Sequence, residues 1–391
     1  MNSKPEQPRR YDAVLGGTQP GAIGGLVLGG LEGVRQRLTL PDEDQRVQAL
    51  QDALKYGRSG LSLVIKGLQD ESLLVQKTAF VLLRHRKDAE IRKALQGFNF
   101  YRFFGCLRTL KGGQQTAISP DGETIALLNK SIKVYDHPSG ELLYSMPHHP
   151  GGWELFILSN EAQFFIRSTA GDQHRLEVWQ QAELLHTLYG HGAAIRSLAL
   201  SGDQRTLASG GDDGTIKLWS VRSGKTLWTI DKSLAQGTHT GPVLGLAFSP
   251  DHKTLVSHGA DGKVKLWDLE SRDRPRLLQV RGLRFLTIST EGLLAGVDWE
   301  GKVRLWHLAS GTFLQLLDRR FYDCYLAFSP SGRTLAIASS LSIYLYDLRT
   351  GKPSCTLLGH ERAIDGLRFN STGEWLVSSS QDKKIKIWGV P

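Results

Sequence analysis

Seven short segments of the chain share one pattern: apolar, polar, apolar, aromatic. They are Ile132-Lys133-Val134-Tyr135, Leu176-Glu177-Val178-Trp179, Ile216-Lys217-Leu218-Trp219, Val264-Lys265-Leu266-Trp267, Val303-Arg304-Leu305-Trp306, Ile343-Tyr344-Leu345-Tyr346 and Ile385-Lys386-Ile387-Trp388. Strict alternation marks a β-strand with one face buried. The aromatic anchors recur at intervals of 39 to 48 residues, about 42 on average. Upstream of an anchor lies a second apolar strand, such as Thr206 to Ser209. Before that comes a turn, as in Ser249-Pro250-Asp251, then a third strand, as in Val243 to Phe248. Pro presets φ in such turns and Asp bonds the local backbone. A fourth strand, such as His186-Thr187-Leu188, runs into Gly190-His191. Four short strands at this period predict a β-propeller of seven blades.

The units resemble the WD40 repeat. The closest copies are Gly190-His191, Ser209, Asp213 and Trp219, and Gly359-His360, Ser378, Asp382 and Trp388. His239, Ser257, Asp261 and Trp267 match with Thr238 in place of Gly. The resemblance extends from residue 105 to 391. In the other four units Asn129, Gln173, Glu300 and Ser340 stand where the repeat has Asp. The resemblance implies that the His, Ser, Asp and Trp of each matching unit form a buried hydrogen-bonded chain. The inventory suits this, because carboxylate only accepts, indole only donates, and imidazole and hydroxyl do both. Ser, His and Asp also make up a hydrolase triad. A triad occurs once and exposes its Ser, whereas this set occurs three times with a Trp to occupy the hydroxyl, and no Gly-x-Ser-x-Gly elbow is present.

The final anchor, Trp388, is followed by Gly389-Val390-Pro391, too little for a fourth strand. Cys106 to Leu110 resembles the fourth strands of other units, so residues 106–110 are expected to complete the seventh blade and cover its edge.

From Pro41 the apolar period changes to that of a helix. Val47, Leu50 and Leu54 define one face, Leu61, Val64, Ile65 and Leu68 a second, and Val75, Ala79, Leu82 and Leu83 a third. Gly57 and Gly60 are read as punctuation between the first two helices, and Asp70 as the cap of the third. Leu68 to Ala79 resembles a HEAT-type repeat, whose helix pairs stack into binding solenoids. The predicted organisation is a multidomain α and β chain. A flexible segment spans 1–22, a small all-α HEAT-like domain 23–100, and an all-β seven-bladed WD40 propeller 105–391.

Composition refines this reading. The 43 glycines suit many tight turns, and three widely spaced cysteines exclude a disulfide framework or a Cys-rich zinc site. The N-terminal segment lacks the apolar core of a signal peptide, and the longest apolar stretch is about half a membrane span. A cytoplasmic protein without a membrane span is expected, with no cofactor, metal or catalytic residue. The net charge of +9 permits nucleic acid but does not demand it. The expected function is a non-catalytic scaffold for protein partners, a monomer within a larger complex. RNA or ribonucleoprotein binding is the alternative, and a catalytic propeller the third reading. In WD40 proteins the rim carrying the Asp turn and the His loop is the usual docking face. Matching the inner strands by their turns places Glu154, Arg196, Leu244, Arg284, Cys324 and Asp365 there. The neighbouring turns and loops add Trp153, Asp212, Trp299 and Tyr322, with Trp299, Trp153, Arg196 and Arg284 as the expected centre.

Overall fold

A computed structural model describes residues 30–113, 115–147, 155–169, 174–231, 238–278, 280 and 282–391. The segment 1–22 lies outside them. The chain divides into two compact units at the boundary between Phe103 and Phe104.

The first unit is helical: α1 (Gly30–Arg37), α2 (Glu43–Ala53), α3 (Gly57–Gly67), α4 (Leu73–Leu83) and α5 (Ala89–Gln96). Three details depart from the sequence reading. The buried stripe of α2 is Arg46, Ala49, Leu50 and Ala53, while Val47 and Leu54 are only half-buried. The cause is Arg46, whose guanidinium turns inward to donate to the Leu40 and Pro41 carbonyls at 2.6 and 2.9 Å and to Asp70 at 3.2 Å. Asp70, committed to that pair, does not cap α4. Ser72 does, accepting from the Leu74 and Val75 amides. Gly60 lies inside α3 rather than between helices. A Cβ there would stand 1.7 Å from the Ala53 carbonyl oxygen, so glycine is what lets α3 begin against the end of α2.

The second unit is seven antiparallel four-stranded sheets. The strands of each blade are lettered a to d in sheet order, and the blades are numbered along the chain. Blade 1 is built from Gln115–Ile118, Thr124–Leu128, Ser131–Asp136 and Leu142–Pro147; blade 2 from Phe156–Leu158, Phe164–Ser168, Leu176–Gln180 and Glu183–Leu188. Blade 3 comprises Ile195–Leu200, Thr206–Gly211, Ile216–Ser220 and Thr226–Ile230; blade 4, Val243–Phe248, Thr254–Gly259, Val264–Asp268 and Arg276–Leu278. Blade 5 holds Phe285–Ile288, Leu293–Val297, Lys302–His307 and Thr312–Arg320; blade 6, Cys324–Phe328, Thr334–Ser339, Ser342–Asp347 and Lys352–Leu358. Strands a to c of blade 7 are Ile364–Phe369, Trp375–Ser380 and Lys384–Gly389. The a strands pack side by side around a closed ring, blade 7 against blade 1.

The alternation seen in the sequence is the packing between blades. In blade 3, Ile216 and Leu218 are buried and lie in one apolar cluster with Val243, Leu255 and Trp267 of blade 4. Val264 and Leu266 of blade 4 share a cluster with Leu294 and Trp306 of blade 5, and Val303 and Leu305 of blade 5 with Leu335 and Tyr346 of blade 6. Each fully buried aliphatic side chain contributes about 1.5–3 kcal/mol, so these interfaces dominate the stability of the ring.

Strand d of blade 7 is Gly105–Lys111, which contains the expected segment 106–110. It pairs antiparallel with strand c, Cys106 opposite Trp388 and Leu110 opposite Ile385. A chain shortened to begin at residue 112 should therefore melt well below one that begins at residue 100, or fail to stay soluble. Equal melting temperatures for the two would show that this strand is dispensable.

Candidate interaction surface at the propeller rim

Three blades carry the predicted polar chain. In blade 4 the Trp267 indole donates to Ser257 Oγ at 2.8 Å, Ser257 lies 2.8 Å from His239 Nε2, and His239 Nδ1 lies 2.9 Å from Asp261. Blade 7 repeats this with Trp388, Ser378, His360 and Asp382 at 2.9, 2.8 and 2.9 Å. One direction of donation satisfies every link: indole to hydroxyl, hydroxyl to Nε2, Nδ1–H to carboxylate. Burial drives the His239 and His360 pKa values below the ordinary imidazole range, with the carboxylates only partly opposing it. The imidazoles are thus neutral, as the chain needs. Burial pushes the Asp261 carboxyl up, but hydrogen bonds from His239 and from the Lys263 and Thr240 amides prevail and leave it below the usual range. All three Ser residues are fully buried, with the hydroxyl held between indole and imidazole.

Blade 3 differs in one link. Trp219, Ser209 and His191 are joined as expected, at 2.8 and 2.7 Å, but His191 Nδ1 is 3.5 Å from Asp213. The Thr215 hydroxyl stands between them, 3.0 Å from Nδ1, and donates to Asp213 at 2.7 Å. Lys263 and Lys384 occupy the matching position in blades 4 and 7, two residues after the Asp, and offer no hydroxyl.

Blade 2 fills the same space with charge. Arg167 sits opposite Glu177 as Ser209 sits opposite Lys217. The pair is buried, with Arg167 Nε and Nη2 each 2.8 Å from Glu177, which also accepts from the Trp179 indole at 3.0 Å. Blade 5 places Asp298, rather than Glu300, in its turn. Asp298 accepts from the Glu300 and Lys302 amides and from Arg304 Nε, while Glu300 turns outward to Lys302 at 2.7 Å.

Seven of the ten expected rim residues sort into three groups. Trp153 and Glu154 lie outside the described residues. Arg196 and Asp212 form a bidentate pair on blade 3, with contacts of 2.8 to 3.0 Å. Arg284, Trp299 and Tyr322 belong to blade 5 and the loop that follows it. The Arg284 guanidinium lies 5.2 Å over the Trp299 ring and 3.2 Å from Asp323, and Trp299 and Tyr322 are both about half exposed. The expected centre therefore divides, with Arg196 on blade 3 and Arg284 with Trp299 on blade 5.

Cys324, expected at the rim, is instead fully buried, and its thiol pKa is raised by burial to about 12. Strand a of blades 3, 4 and 7 carries a β-bulge that sets Arg196, Leu244 and Asp365 out of the ladder. Strand a of blade 6 pairs without one, Cys324 opposite Ser339 and Tyr325 opposite Ala338. The residue that counting put at the rim is therefore turned inward. Leu244 is half-buried. Asp365 is also half-buried, its carboxyl raised by burial although Ser379 donates to it at 2.6 Å. The sequence reading missed Tyr325, partly exposed with its ring 5.4 Å from Phe285, as well as Asp298 and Asp323. Asp298 and Asp323 flank Trp299 and Tyr322 in sequence, a signal that was available.

Seven four-stranded blades, three of them built on Trp–Ser–His–Asp chains, define a β-propeller of the WD40 kind. The WD40 family (WD domain, G-beta repeat) matches residues 182–220, 231–268 and 351–389, so three segments of this seven-bladed propeller carry WD40 repeats. It is similar to the periodic tryptophan protein 2 homolog of Dictyostelium discoideum, 26% identical over 265 residues that are 66% of this chain and 24% of that protein. It is also similar to the ribosome biogenesis protein WDR12 homolog of Anopheles gambiae, 25% identical over 250 residues, 60% of this chain and 51% of that one. Protein SPA1-RELATED 4 of Arabidopsis thaliana is 37% identical over 101 residues, 25% of this chain and 13% of its own length. The chain thus spans between about an eighth and a half of the length of these relatives.

Two predictions test the chains. Asp261→Ala leaves the His239 N–H buried without an acceptor and should cost about 1–3 kcal/mol. Asp213→Ala should cost less than about 1 kcal/mol, because Thr215 still receives the His191 N–H. Thermal melts of the two variants compare them directly, and the reverse order would refute the threonine bridge. The second concerns acid. His258 is buried in blade 4 with its pKa lowered by burial to about 4, and His191, His239 and His360 are lowered too. A histidine kept neutral by the fold contributes stability that is full above its unfolded pKa of about 6.5 and is lost as pH falls through the folded value. The melting temperature should fall steadily from pH 6.5 towards pH 4, and less steeply in His258→Gln. A flat profile would exclude the buried neutral imidazoles.

Proposed function

We propose that this propeller is a non-catalytic scaffold that holds protein partners in a complex, with the rim of blades 5 and 6 as its principal docking face. The observation that carries this is Arg284, which lies over the exposed Trp299 and pairs with Asp323, a chain neighbour of the partly exposed Tyr322 and close in sequence to Tyr325, since aromatic residues and Arg dominate binding energy at interfaces. The Ser–His–Asp sets are buried structural chains with each hydroxyl occupied at both ends, which argues against their serving as nucleophiles. The similarity to a protein named for ribosome biogenesis favours work in assembling a larger particle, in which this chain is a single copy. The helical unit is read as HEAT-like, a second platform for partners. Among the described residues no helix is long and apolar enough to cross a membrane. The three free thiols support an intracellular setting, the cytoplasm included.

The test is affinity capture followed by mass spectrometry, with and without nuclease, comparing wild type with the triple variant Arg284→Ala, Trp299→Ala, Tyr322→Ala. The variant should melt close to wild type, since all three side chains are partly exposed, and should lose the main partner. Arg196→Ala should keep it, and should change stability by less than about 1 kcal/mol because its pair is exposed. Capture that survives the triple substitution would move the docking face elsewhere, and capture abolished by nuclease would favour RNA.

A further inference from the structure

Blade 5 carries an open cleft of about 650 Å³ beside Trp299. Its origin is a set of missing side chains. In blades 4 and 7 an imidazole joins Ser to Asp and packs beside the anchor Trp, the His360 and Trp388 ring centroids lying 6.2 Å apart. In blade 5 Gly296 stands ten residues before Trp306, where those blades have Ser, and no His occurs between Leu278 and Leu283. The exposed Phe313 ring, backed edge to face at 6.2 Å by the buried Trp306, forms the apolar wall together with Val280.

The polar groups of the cleft are unequally committed. The Asp298 carboxylate already accepts three hydrogen bonds, from the Glu300 and Lys302 amides at 3.0 and 2.9 Å and from Arg304 Nε at 2.9 Å. Glu300 is taken by Lys302. Arg304 spends only Nε on Asp298, and among the described residues its terminal nitrogens have no acceptor although its side chain lines the cleft. The space therefore offers an aromatic wall and unspent guanidinium donors, which call for an apolar side chain next to an anion.

We propose that this cleft receives a short segment of a partner polypeptide, in which a bulky apolar side chain fills the space against Phe313 and Val280 and an adjacent carboxylate bonds Arg304. This rests on the docking reading above and adds the partner's chemistry to it. A peptide fits better than a nucleobase. One side of the Trp299 ring is already covered by Arg284, and Asp298, the acceptor that could read a base edge, already takes three hydrogen bonds.

The experiment is fluorescence anisotropy on the full chain with three short labelled peptides, one with Phe flanked by Asp, one with Lys for Asp, and one with Ala for Phe. An unstructured RNA oligonucleotide serves as competitor. The first peptide should bind at least about tenfold more tightly than the other two, since a charge-assisted Arg–carboxylate contact and aromatic burial are each worth that much. Arg304→Gln and Val280→Phe, which removes the donors and fills the cleft respectively, should each weaken it by about tenfold or more. Because Arg304→Gln also touches Asp298, Val280→Phe decides if the first variant melts early. Equal binding of the Lys peptide, indifference to Val280→Phe, or displacement by RNA would overturn the inference. Partner capture lost in the rim triple variant but kept in Val280→Phe would reject the cleft alone, whereas capture kept in both would reject the docking face as well.

Discussion

The contact on which the propeller depends is the burial of one blade's anchor aromatic against the aliphatic pair of the blade before it. Trp267 rests in the cluster of Ile216 and Leu218, Trp306 in that of Val264 and Leu266, Tyr346 in that of Val303 and Leu305. Such contacts demand only a strand that alternates, with one large ring at its end. They do not specify what lies on the polar side of the ring. Apolar packing therefore sets the period and the geometry, and the hydrogen-bonding partners of the anchors are free to vary from blade to blade.

The molecule uses that freedom in distinct ways. Blades 4 and 7 run a neutral chain from indole to carboxylate. Blade 3 lengthens it by one hydroxyl. Blade 2 substitutes a buried Arg167–Glu177 pair, which still accepts the Trp179 indole. A buried ion pair is no more stabilising than a good apolar or neutral arrangement, but breaking half of it is costly. Blade 2 is accordingly more vulnerable to single changes at Arg167 or Glu177 than its divergence from the repeat suggests. Blade 5 leaves the space partly open.

Much of the fold was legible because it rests on local periodicity. The seven anchors follow from which residues alternate, the helices near Pro41 from a 3.6-residue period, and the strand that closes blade 7 from the likeness of residues 106–110 to the other fourth strands. What sequence reading missed depends on partners distant along the chain. Asp70 looked like a cap until Arg46, brought close by α2, claimed it and left the role to Ser72. Cys324 was placed at the rim by counting, and one absent bulge turned it inward. Thr215 bridges His191 to Asp213 only because its hydroxyl falls within reach of both. The pairing of Arg167 with Glu177 depends on a hairpin register that no spacing rule displays. At the rim, residue type and turn position point to Arg284, Trp299 and Tyr322 as candidates, while the absent bulge that turns Cys324 inward leaves its neighbour Tyr325 partly exposed.

The closing strand also has a consequence for the timing of synthesis. Residues 105–111 emerge from the ribosome long before their partner strand: Lys386 meets Thr109 across 277 positions of chain. At roughly 5–20 residues per second the early strand waits on the order of tens of seconds for its pair. During that interval it is an exposed β-edge, the kind of element that recruits wrong neighbours. Its sequence, Gly-Cys-Leu-Arg-Thr-Leu-Lys, answers this with two cations and only two leucines among seven positions. Weak hydrophobicity, a disadvantage in a finished sheet, keeps the nascent strand unpaired until residues 384–389 arrive to take it.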